Sequence, residues 1–300
     1  MISSTSSLFT TGIAGLLCLT THTNAALFLD AASLSQSETF AQESRFQAVG
    51  MISSVVDGQW FPEGSATLIA PDWVLTAAHV ITGIQSSGFD SIQFSLGHDG
   101  LAFDDVGVAN QWFIHPDYNG GSNTITPDLA LIHLSLPIQS VVPATRFRGA
   151  DPTPGAAPNG PTYAMAGYGL HGIYGGSLSD DTIKRAGTNI VEGFSDGADN
   201  MRVNFDPSSA SHLEWKGTPG DSGGGWFIDV NGDWQLAGVS DWASTPLEGL
   251  GFAGATRVSS YNGWIDQTMA SAPEPTSAVL VGCAGLILLG TRRRTMKHFA

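Results

Sequence analysis

Three polar residues lie in short motifs whose side chains could together carry out acyl transfer: His79 in "TAAH", Asp128 in "DLAL" and Ser222 in "GDSGG". A serine hydroxyl attacks a carbonyl when a base takes its proton, a carboxylate orients that base, and N–H donors stabilise the oxyanion. The surrounding stretch "GTPGDSGGGWF" has a simpler interpretation as a glycine-rich surface turn. A catalytic role for Ser222 requires the fold to bring the three motifs together, whereas a surface turn does not.

The stretch Gly220 to Gly224 also fits the GxSxG pattern, which in α/β-hydrolases marks a turn between a strand and a helix. In that fold the acid and the histidine both follow the nucleophile in the chain. The only histidine after Ser222 is His298, four residues past the last arginine of the cluster at 292–294. Chain order therefore excludes the elbow interpretation.

The order His79, Asp128, Ser222 resembles that of the chymotrypsin/trypsin family of serine proteases, as do the separations of 49 and 94 residues. Matching segments are "SATLIAPDWVLTAAH", "HPDYNGG", "AGYGL" and "ATRVSSYNGWI". The resemblance covers about residues 49–265. It implies an all-β fold of two antiparallel six-stranded β-barrels with a short C-terminal helix and a site in the cleft between the barrels.

The resemblance also implies the role of each residue. His79 would be the general base, Asp128 its orienting carboxylate and Ser222 the nucleophile. The backbone N–H groups of Gly220 and Ser222 would form the oxyanion hole. Asp104, Asp105 and Asp117 are competing acids, but none precedes an apolar strand as Asp128 does. The other histidines near the motifs, His115 and His133, are predicted to be structural.

Residues that would contact the substrate follow from the same resemblance: Lys216, Ser240, Trp242, Ala253 and Gly254. Lys216 stands where trypsins have the aspartate at the base of the primary specificity pocket, so we do not expect a preference for Arg or Lys. Its ammonium group would either favour acidic side chains or turn outward into solvent. Ser240 resembles the family serine that contacts the acid and borders the substrate strand.

The chain departs from the family at its activation segment. Animal enzymes of this type form a salt bridge between a new Ile-Val amino terminus and the aspartate before the nucleophile, here Asp221. No IVGG is present, and cleavage after Arg45 in "ESRFQAVGMI" is the nearest equivalent. We therefore expect another partner for Asp221. Val80 occupies the cysteine position beside the histidine, so packing must hold that loop.

The body of the chain is predicted to contain many short strands. Apolar segments alternate with clusters of Gly, Pro, Asn and Asp, which favours barrels or sandwiches. In "WFIDVNGDWQLAGV", Asn231 and Gly232 predict a hairpin turn, and the alternative of a calcium loop fails because its glycine is misplaced and no distal glutamate follows. The expected protease domain is 46–272, with barrel one at about 46–148, the Pro-rich connector "GADPTPGAAPNGP" next, and barrel two at about 161–258.

Both ends of the chain indicate export. Residues 1–25 have the apolar run and small residues of a signal peptide, and 26–45 have the composition of a linker or propeptide. At 273–300, Pro273-Glu274-Pro275, an apolar stretch at 277–290 and an arginine cluster resemble the PEP-CTERM sorting signal of certain Gram-negative bacteria. That signal implies transient membrane anchoring through 277–290 and handling of the tail by an exosortase.

Cysteine positions and net charge limit the disulfides that the protein can form and the classes of molecule that it can bind. Both cysteines, Cys18 and Cys283, lie in the terminal segments, so the mature body would have no internal disulfide. Without the tail, the body keeps eight Lys/Arg against 26 Asp/Glu, a formal charge near −18 that would repel nucleic acid and anionic lipid.

These features together predict an exported serine endopeptidase, monomeric, that acts on peptides or proteins, with no cofactor and no metal. Two alternatives use the same fold. One is a catalytically silent surface binding protein, and the other is an esterase with the same three residues.

Overall fold

The computed structural model describes residues 26–99, 102–120, 126–195, 199–206, 213–246 and 249–272. Its strands are β1 Leu27–Phe28, β2 Val49–Val56, β3 Gln59–Ala70, β4 Trp73–Thr76, β5 Ser91–Leu96, β6 Asp105–Ile114, β7 Ala130–Leu134, β8 Thr162–Gly167, β9 Gly172–Ile173, β10 Arg185–Ser195, β11 Asn200–Phe205, β12 Gly225–Val230, β13 Asp233–Ala243 and β14 Gly251–Arg257. Its helices are α1 Ala31–Phe40, α2 Ala78–Ser87 and α3 Val258–Ser271, with a 3₁₀ turn at Ser44–Phe46.

The hairpin predicted at Asn231-Gly232 joins β12 to β13. Both residues have positive φ, 57° and 90°, as a tight two-residue turn between twisted strands requires. The Asp229 carboxylate accepts a hydrogen bond from the Gly232 N–H at 2.6 Å. Asp229 therefore stabilises the turn, in agreement with the hairpin interpretation.

The strands close into two antiparallel barrels, each of six strands. Barrel one has the order β2-β3-β4-β7-β6-β5, and barrel two has the order β10-β11-β14-β13-β12-β8. Buried aliphatic residues fill barrel one, whereas barrel two contains the edge-to-face pair Trp215 and Trp226, with ring centroids 6.1 Å apart. The predicted fold class is confirmed.

The C-terminal helix connects the two barrels. Helix α3 follows the last strand of barrel two, yet Tyr261 and Trp264 pack on His115 of the barrel-one half at 5.2 and 4.7 Å between ring centroids. Asp266 forms salt bridges with Arg146 and Arg148 at 2.5 and 2.8 Å. The helix thereby helps to fix the cleft between the barrels.

The segment at 26–45 is folded. It contains β1 and α1, and the side chains of Leu27 and Phe28 are fully buried. Composition alone suggested a linker or propeptide because α1 is rich in polar residues. These contacts make the segment part of the folded body, unlike a free linker.

The predicted signal peptide at 1–25 and the apolar stretch at 277–290 lie outside the described residues. Among the helices in the described part of the chain, none has the length and hydropathy needed to span a bilayer.

Candidate active site

The predicted base and acid, His79 and Asp128, are brought together by two neighbouring strands of barrel one. Strand β4 runs into α2, which carries His79 in its first turn, while Asp128 lies just before β7. Strands β4 and β7 are hydrogen-bonded partners, with Thr76 opposite Ala130. The register therefore places both side chains at the same end of the barrel.

Asp128 contacts His79 twice. One carboxylate oxygen lies 2.5 Å from the imidazole Nδ1, and the other accepts the backbone N–H of His79 at 2.8 Å. The Asp128 side chain is 16% exposed and that of His79 36% exposed. The two-point contact fixes the ring plane and assigns the Nδ1 proton to the side facing Asp128, which leaves Nε2 as the proton acceptor.

Ser222 lies in barrel two, in the turn between β11 and β12. His79 and Ser222 both line a cleft of about 330 Å³ between the barrels, with Gly217, Thr218, Pro219, Ser240, Asp241, Trp242 and Ala243. Gly220 and Gly223 on either side of Ser222 have φ values of 91° and 86°. This backbone shape favours glycine, so the glycines of "GDSGG" have a structural cause.

The predicted oxyanion donors are available. In the described part of the chain, the N–H groups of Gly220 and Ser222 donate no hydrogen bond to another protein group. Nearby N–H groups are satisfied, since Gly223 donates to the Ser240 carbonyl at 2.7 Å and Gly224 to the Asp221 carbonyl at 2.8 Å. The two N–H groups that have no acceptor among the described residues are thus those predicted to bind an oxyanion.

Ser65 of β3 joins barrel one to residues 217–224, which carry Ser222 and which we call the nucleophile loop. Its backbone N–H donates to the Ser222 carbonyl at 2.8 Å, and its hydroxyl donates to the Gly220 carbonyl at 2.7 Å. The same hydroxyl accepts the N–H of Tyr168 at 2.9 Å, and the Ser65 carbonyl accepts the Thr76 hydroxyl at 2.8 Å. Ser65 is fully buried and holds the peptide groups on both sides of the Ser222 amide.

We expect Ser65→Ala to lower kcat more than it changes KM. The substitution leaves the Gly220 carbonyl and the Tyr168 N–H without their buried partner, which costs about 1–3 kcal/mol per group, and shifts the loop. Displacement of a reacting group by about 1 Å costs roughly 10²-fold in rate. Steady-state kinetics and a thermal unfolding curve measure the two effects.

Ser95→Ala is the matched control for that experiment. Ser95 is also a fully buried serine of barrel one, but its hydroxyl has no hydrogen-bond partner among the described residues. Its removal should leave kcat within about twofold, since only unsatisfied polar surface is lost. Equal kcat losses in the two variants would show that Ser65 acts through general stability alone.

Asp221 is buried behind the nucleophile, and every group that hydrogen-bonds to its carboxyl in the described residues is neutral. The donors are the N–H groups of Gly169 and Thr218, at 3.1 and 3.0 Å, and the Thr218 hydroxyl at 3.5 Å. Burial raises the pKa of Asp221 to about 7, against the lowering effect of these donors. Thr218 and Gly169 are thus the partners that the sequence left unassigned.

The loop that carries His79 is held by packing. Val80 is buried, and a Cβ added to Gly64 would lie 3.0 Å from the nearest methyl group of Val80. Gly64 and Val80 therefore meet in van der Waals contact beside the site, as expected for a body without disulfides.

The predicted substrate-binding residues separate into two groups. Ser240 and Trp242 line the cleft, whereas Lys216, Ala253 and Gly254 are not among its lining residues in the described part of the chain. Ala253 is fully buried in the core of barrel two. Gly254 lies beneath Trp242, because a Cβ there would approach the indole nitrogen to 2.3 Å.

Lys216 does not turn outward into solvent, and that expectation is wrong. The residue is fully buried, and its ammonium group donates to the carbonyl oxygens of Pro246 and Gly249, each at 3.0 Å. Buried cations need such partners, and the loop between β13 and β14 supplies them.

Ser240 and Trp242 are separated by a bulge in β13. Ser240 pairs with Ala255 and Trp242 with Gly254, so Asp241 is the extra residue. The Asp241 carboxylate accepts the Thr256 hydroxyl at 3.0 Å. The bulge turns Asp241 and Trp242 toward the cleft. The sequence did not predict this placement, because Asp241 between Ser240 and Trp242 made the register of the strand uncertain.

The competing acids and the two histidines predicted to be structural, His115 and His133, lie apart from the site. Asp105 accepts the Ser140 hydroxyl at 2.9 Å, and Asp117 is exposed. His133 stacks on Trp73 with ring centroids 4.6 Å apart. His115 packs against the aromatic residues of α3, and its burial there lowers its pKa. Both histidines are structural, as predicted.

Several residues at the site were not predicted. Ser65 and Thr218 support the loop, and Gly217, Pro219, Asp241 and Ala243 line the cleft. Ser65 does stand inside the matching segment "SATLIAPDWVLTAAH", which is the one sequence signal that could have located it.

Comparison with known proteins agrees with this geometry. The family model for trypsin matches residues 35–265. Proproteinase E of Bos taurus is 27% identical over 241 residues, which cover 72% of this chain and 87% of the relative. Chymotrypsin-like elastase family member 3A of Homo sapiens is 29% identical over 232 residues, covering 71% of this chain and 81% of the relative. With two six-stranded barrels and a family match across three quarters of its length, the chain belongs to the trypsin family of serine proteases.

Proposed function

We propose that the protein is an exported serine endopeptidase that hydrolyses peptide bonds through His79, Asp128 and Ser222. The observation that carries the proposal is the two-point contact of Asp128 with His79, at 2.5 and 2.8 Å, on the wall of the cleft that Ser222 also lines. An exposed structural histidine needs no such contact, whereas a general base does.

The reaction would proceed in two halves. The Ser222 hydroxyl oxygen attacks the peptide carbonyl carbon while His79 Nε2 takes the hydroxyl proton, and Asp128 stabilises the imidazolium. The N–H groups of Gly220 and Ser222 bind the negative oxygen of the tetrahedral intermediate. His79 then gives its proton to the leaving amine, which leaves an acyl group on Ser222. Water, deprotonated by His79, then attacks the acyl carbon. The bond from that carbon to the Ser222 oxygen breaks, the acid leaves, and His79 returns the proton to the Ser222 oxygen.

An extended peptide would bind along one edge of β13. Beyond Ser240 this strand pairs with β14 at Trp242 and Ala243, while its pairing with β12 ends at Val239. The remaining edge faces the cleft, where a substrate can add backbone hydrogen bonds. Because the Lys216 ammonium group is bound to carbonyl groups, we propose that the cleft does not select acidic side chains through this residue.

Export is proposed from the two ends of the chain. The signal peptide at 1–25 and the sorting segment at 273–300 would direct the protein to the cell envelope of a Gram-negative bacterium or into its medium, with an exosortase as the partner for the tail. The acidic body would then act there as a monomer on peptide or protein substrates.

A peptide library with mass-spectrometric detection tests the function. We expect the purified protein to cleave internal peptide bonds and Ser222→Ala to lose at least about 10³-fold of that activity. Ser86→Ala, an exposed serine on α2, is the matched control and should keep full activity. Cleavage that persists in Ser222→Ala would contradict the proposal, and turnover of esters alone would identify an esterase. No turnover at all would favour the binding protein.

A further inference from the structure

The N-terminal segment of the described chain forms a layer behind the nucleophile loop. We call residues 26–46 the N-terminal strap. It comprises β1, α1 and the 3₁₀ turn, and it then leads into β2 of barrel one. Phe46 at its end is buried and packs edge-to-face on Phe227, with centroids 5.8 Å apart.

The strap is hydrogen-bonded directly to the base of the nucleophile loop. The Leu27 N–H donates to the Lys216 carbonyl at 3.0 Å, and the Lys216 N–H donates back to the Leu27 carbonyl at 3.2 Å. Lys216 lies six residues before Ser222. This reciprocal pair fixes the position from which the loop leaves barrel two.

A second route connects the strap to the same loop through residues 169–174. On one side, Gly172 and Tyr174 donate their N–H groups to the carbonyls of Ala26 and Phe28, at 3.2 and 2.8 Å. On the other side, the Leu170 N–H donates to the Pro219 carbonyl at 3.2 Å. The segment is thus held between the strap and the nucleophile loop.

An ion pair fastens α1 to barrel two. Glu38 lies 2.6 Å from the guanidinium group of Arg185, whose side chain is 3% exposed, and Asp181 contacts the same group at 2.7 Å. The buried Arg185 guanidinium needs such partners, whereas the Glu38 side chain is 37% exposed, so the pair attaches α1 to barrel two at a half-exposed site. The strap therefore behaves as a structural layer of barrel two.

Asp221 shows why this layer matters for the site. Its carboxyl group is satisfied by the neutral donors Gly169 and Thr218, and Gly169 belongs to the stretch that leads into the strap-bound residues. The nucleophile loop therefore forms these contacts while the strap is in place. Among the described residues, no ammonium group is hydrogen-bonded to Asp221.

We propose that the strap is a permanent structural layer of the folded protein, in which Leu27 is a positioning residue for the Ser222 loop and no cleavage between residues 26 and 46 is needed for activity. The proposal rests on the peptidase function given above. It assigns residues 26–45 the role of a structural support, in place of a propeptide that is removed.

The first test compares the intact protein with a nicked form. A recognition sequence for a site-specific cysteine protease replaces the exposed turn at 42–44, and mass determination confirms that the strap is present before cleavage. We expect the intact form to hydrolyse peptides and nicking not to raise its kcat. Activity that arises only after nicking would overturn this proposal alone. Inactivity of both forms would overturn the proposed function as well.

The second test removes one hydrogen bond. Leu27→Pro eliminates the N–H that reaches Lys216, and we expect the rate of Ser222 labelling by a fluorophosphonate, per folded molecule, to fall roughly 10- to 100-fold. Leu27→Val keeps the N–H and should restore the rate. Ser44→Pro is the matched proline control and should keep the rate, because Ser44 is exposed, opens a 3₁₀ turn and donates no backbone hydrogen bond to any of the described residues.

Labelling is measured well below the unfolding midpoint of each variant, so that stability and positioning are read separately. A Leu27→Pro protein with a lowered midpoint but a normal labelling rate would show a purely structural role and overturn the assignment of Leu27. If Leu27→Pro does not fold, the same comparison is made with Glu38→Gln, which keeps the shape of α1 and weakens its attachment to Arg185.

Discussion

Asp128→Asn is expected to lower kcat about 10⁴-fold while the fold is retained. The carboxylate accepts two hydrogen bonds from His79, one from the backbone N–H and one from the ring Nδ1. An asparagine amide has only one oxygen, which the backbone N–H would occupy. Its NH₂ group would then face Nδ1 and impose the tautomer with the proton on Nε2, which cannot accept the serine proton.

The matched control is Asp117→Asn. Asp117 is an exposed acid in the loop before Asp128, and loss of its charge should leave kcat within about twofold. Circular dichroism and thermal unfolding establish that both variants are folded. Asp128→Asn with near-normal kcat would mean that another acid orients His79, and the assignment of Asp128 would be abandoned.

Gly223→Ala is expected to inactivate the protein and to destabilise it. The residue has a φ of 86°, and an added Cβ would lie 2.1 Å from the Ser65 carbonyl oxygen and 2.2 Å from the Thr76 hydroxyl. The left-handed backbone alone costs a non-glycine residue about 1–2 kcal/mol. The collision with rigid groups must also push the chain next to Ser222 away from barrel one, and we expect kcat to fall by at least roughly 10².

Gly232→Ala separates backbone strain from this collision. Gly232 has a similar φ of 90°, but no atom lies within 4 Å of an added Cβ. It should show the loss of stability due to strain together with unchanged kcat. If Gly223→Ala kept the kcat of Gly232→Ala, the close contact between Gly223 and Ser65 would not control the nucleophile.

The features that sequence predicted are those encoded locally. His79, Asp128 and Ser222 each stand in a short motif, and their chain order was sufficient to reject the α/β-hydrolase elbow. The Asn231-Gly232 turn was predictable because few residues tolerate positive φ at both positions. The two barrels followed from the family resemblance, since short strands alone are equally compatible with a sandwich.

The features that sequence did not predict depend on contacts between distant segments. Ser65 and Gly220 are 155 residues apart, and their bond joins one barrel to the other. Leu27 contacts Lys216 through backbone atoms, which any residue except proline provides, so the pairing leaves no residue-type signal. The polar surface of α1 likewise concealed that the strap is anchored by two buried apolar residues, Leu27 and Phe28.

The direction of the Lys216 side chain was also beyond sequence analysis. Both expectations for it, contact with substrate and exposure to solvent, were based on the charge of lysine. The ammonium group instead finds two carbonyl groups of the loop between β13 and β14, at Pro246 and Gly249. Such a pocket exists only after that loop has folded over barrel two.

Covalent labelling of the mature protein with a fluorophosphonate, followed by peptide mapping, tests the central claim most directly. We expect one phosphonyl group per molecule, attached to Ser222 and absent from both Ser222→Ala and a heat-unfolded sample, because only a serine with a positioned base reacts. No adduct on the folded wild-type protein, or an adduct on a different residue, would contradict the assignment of Ser222 as an activated nucleophile.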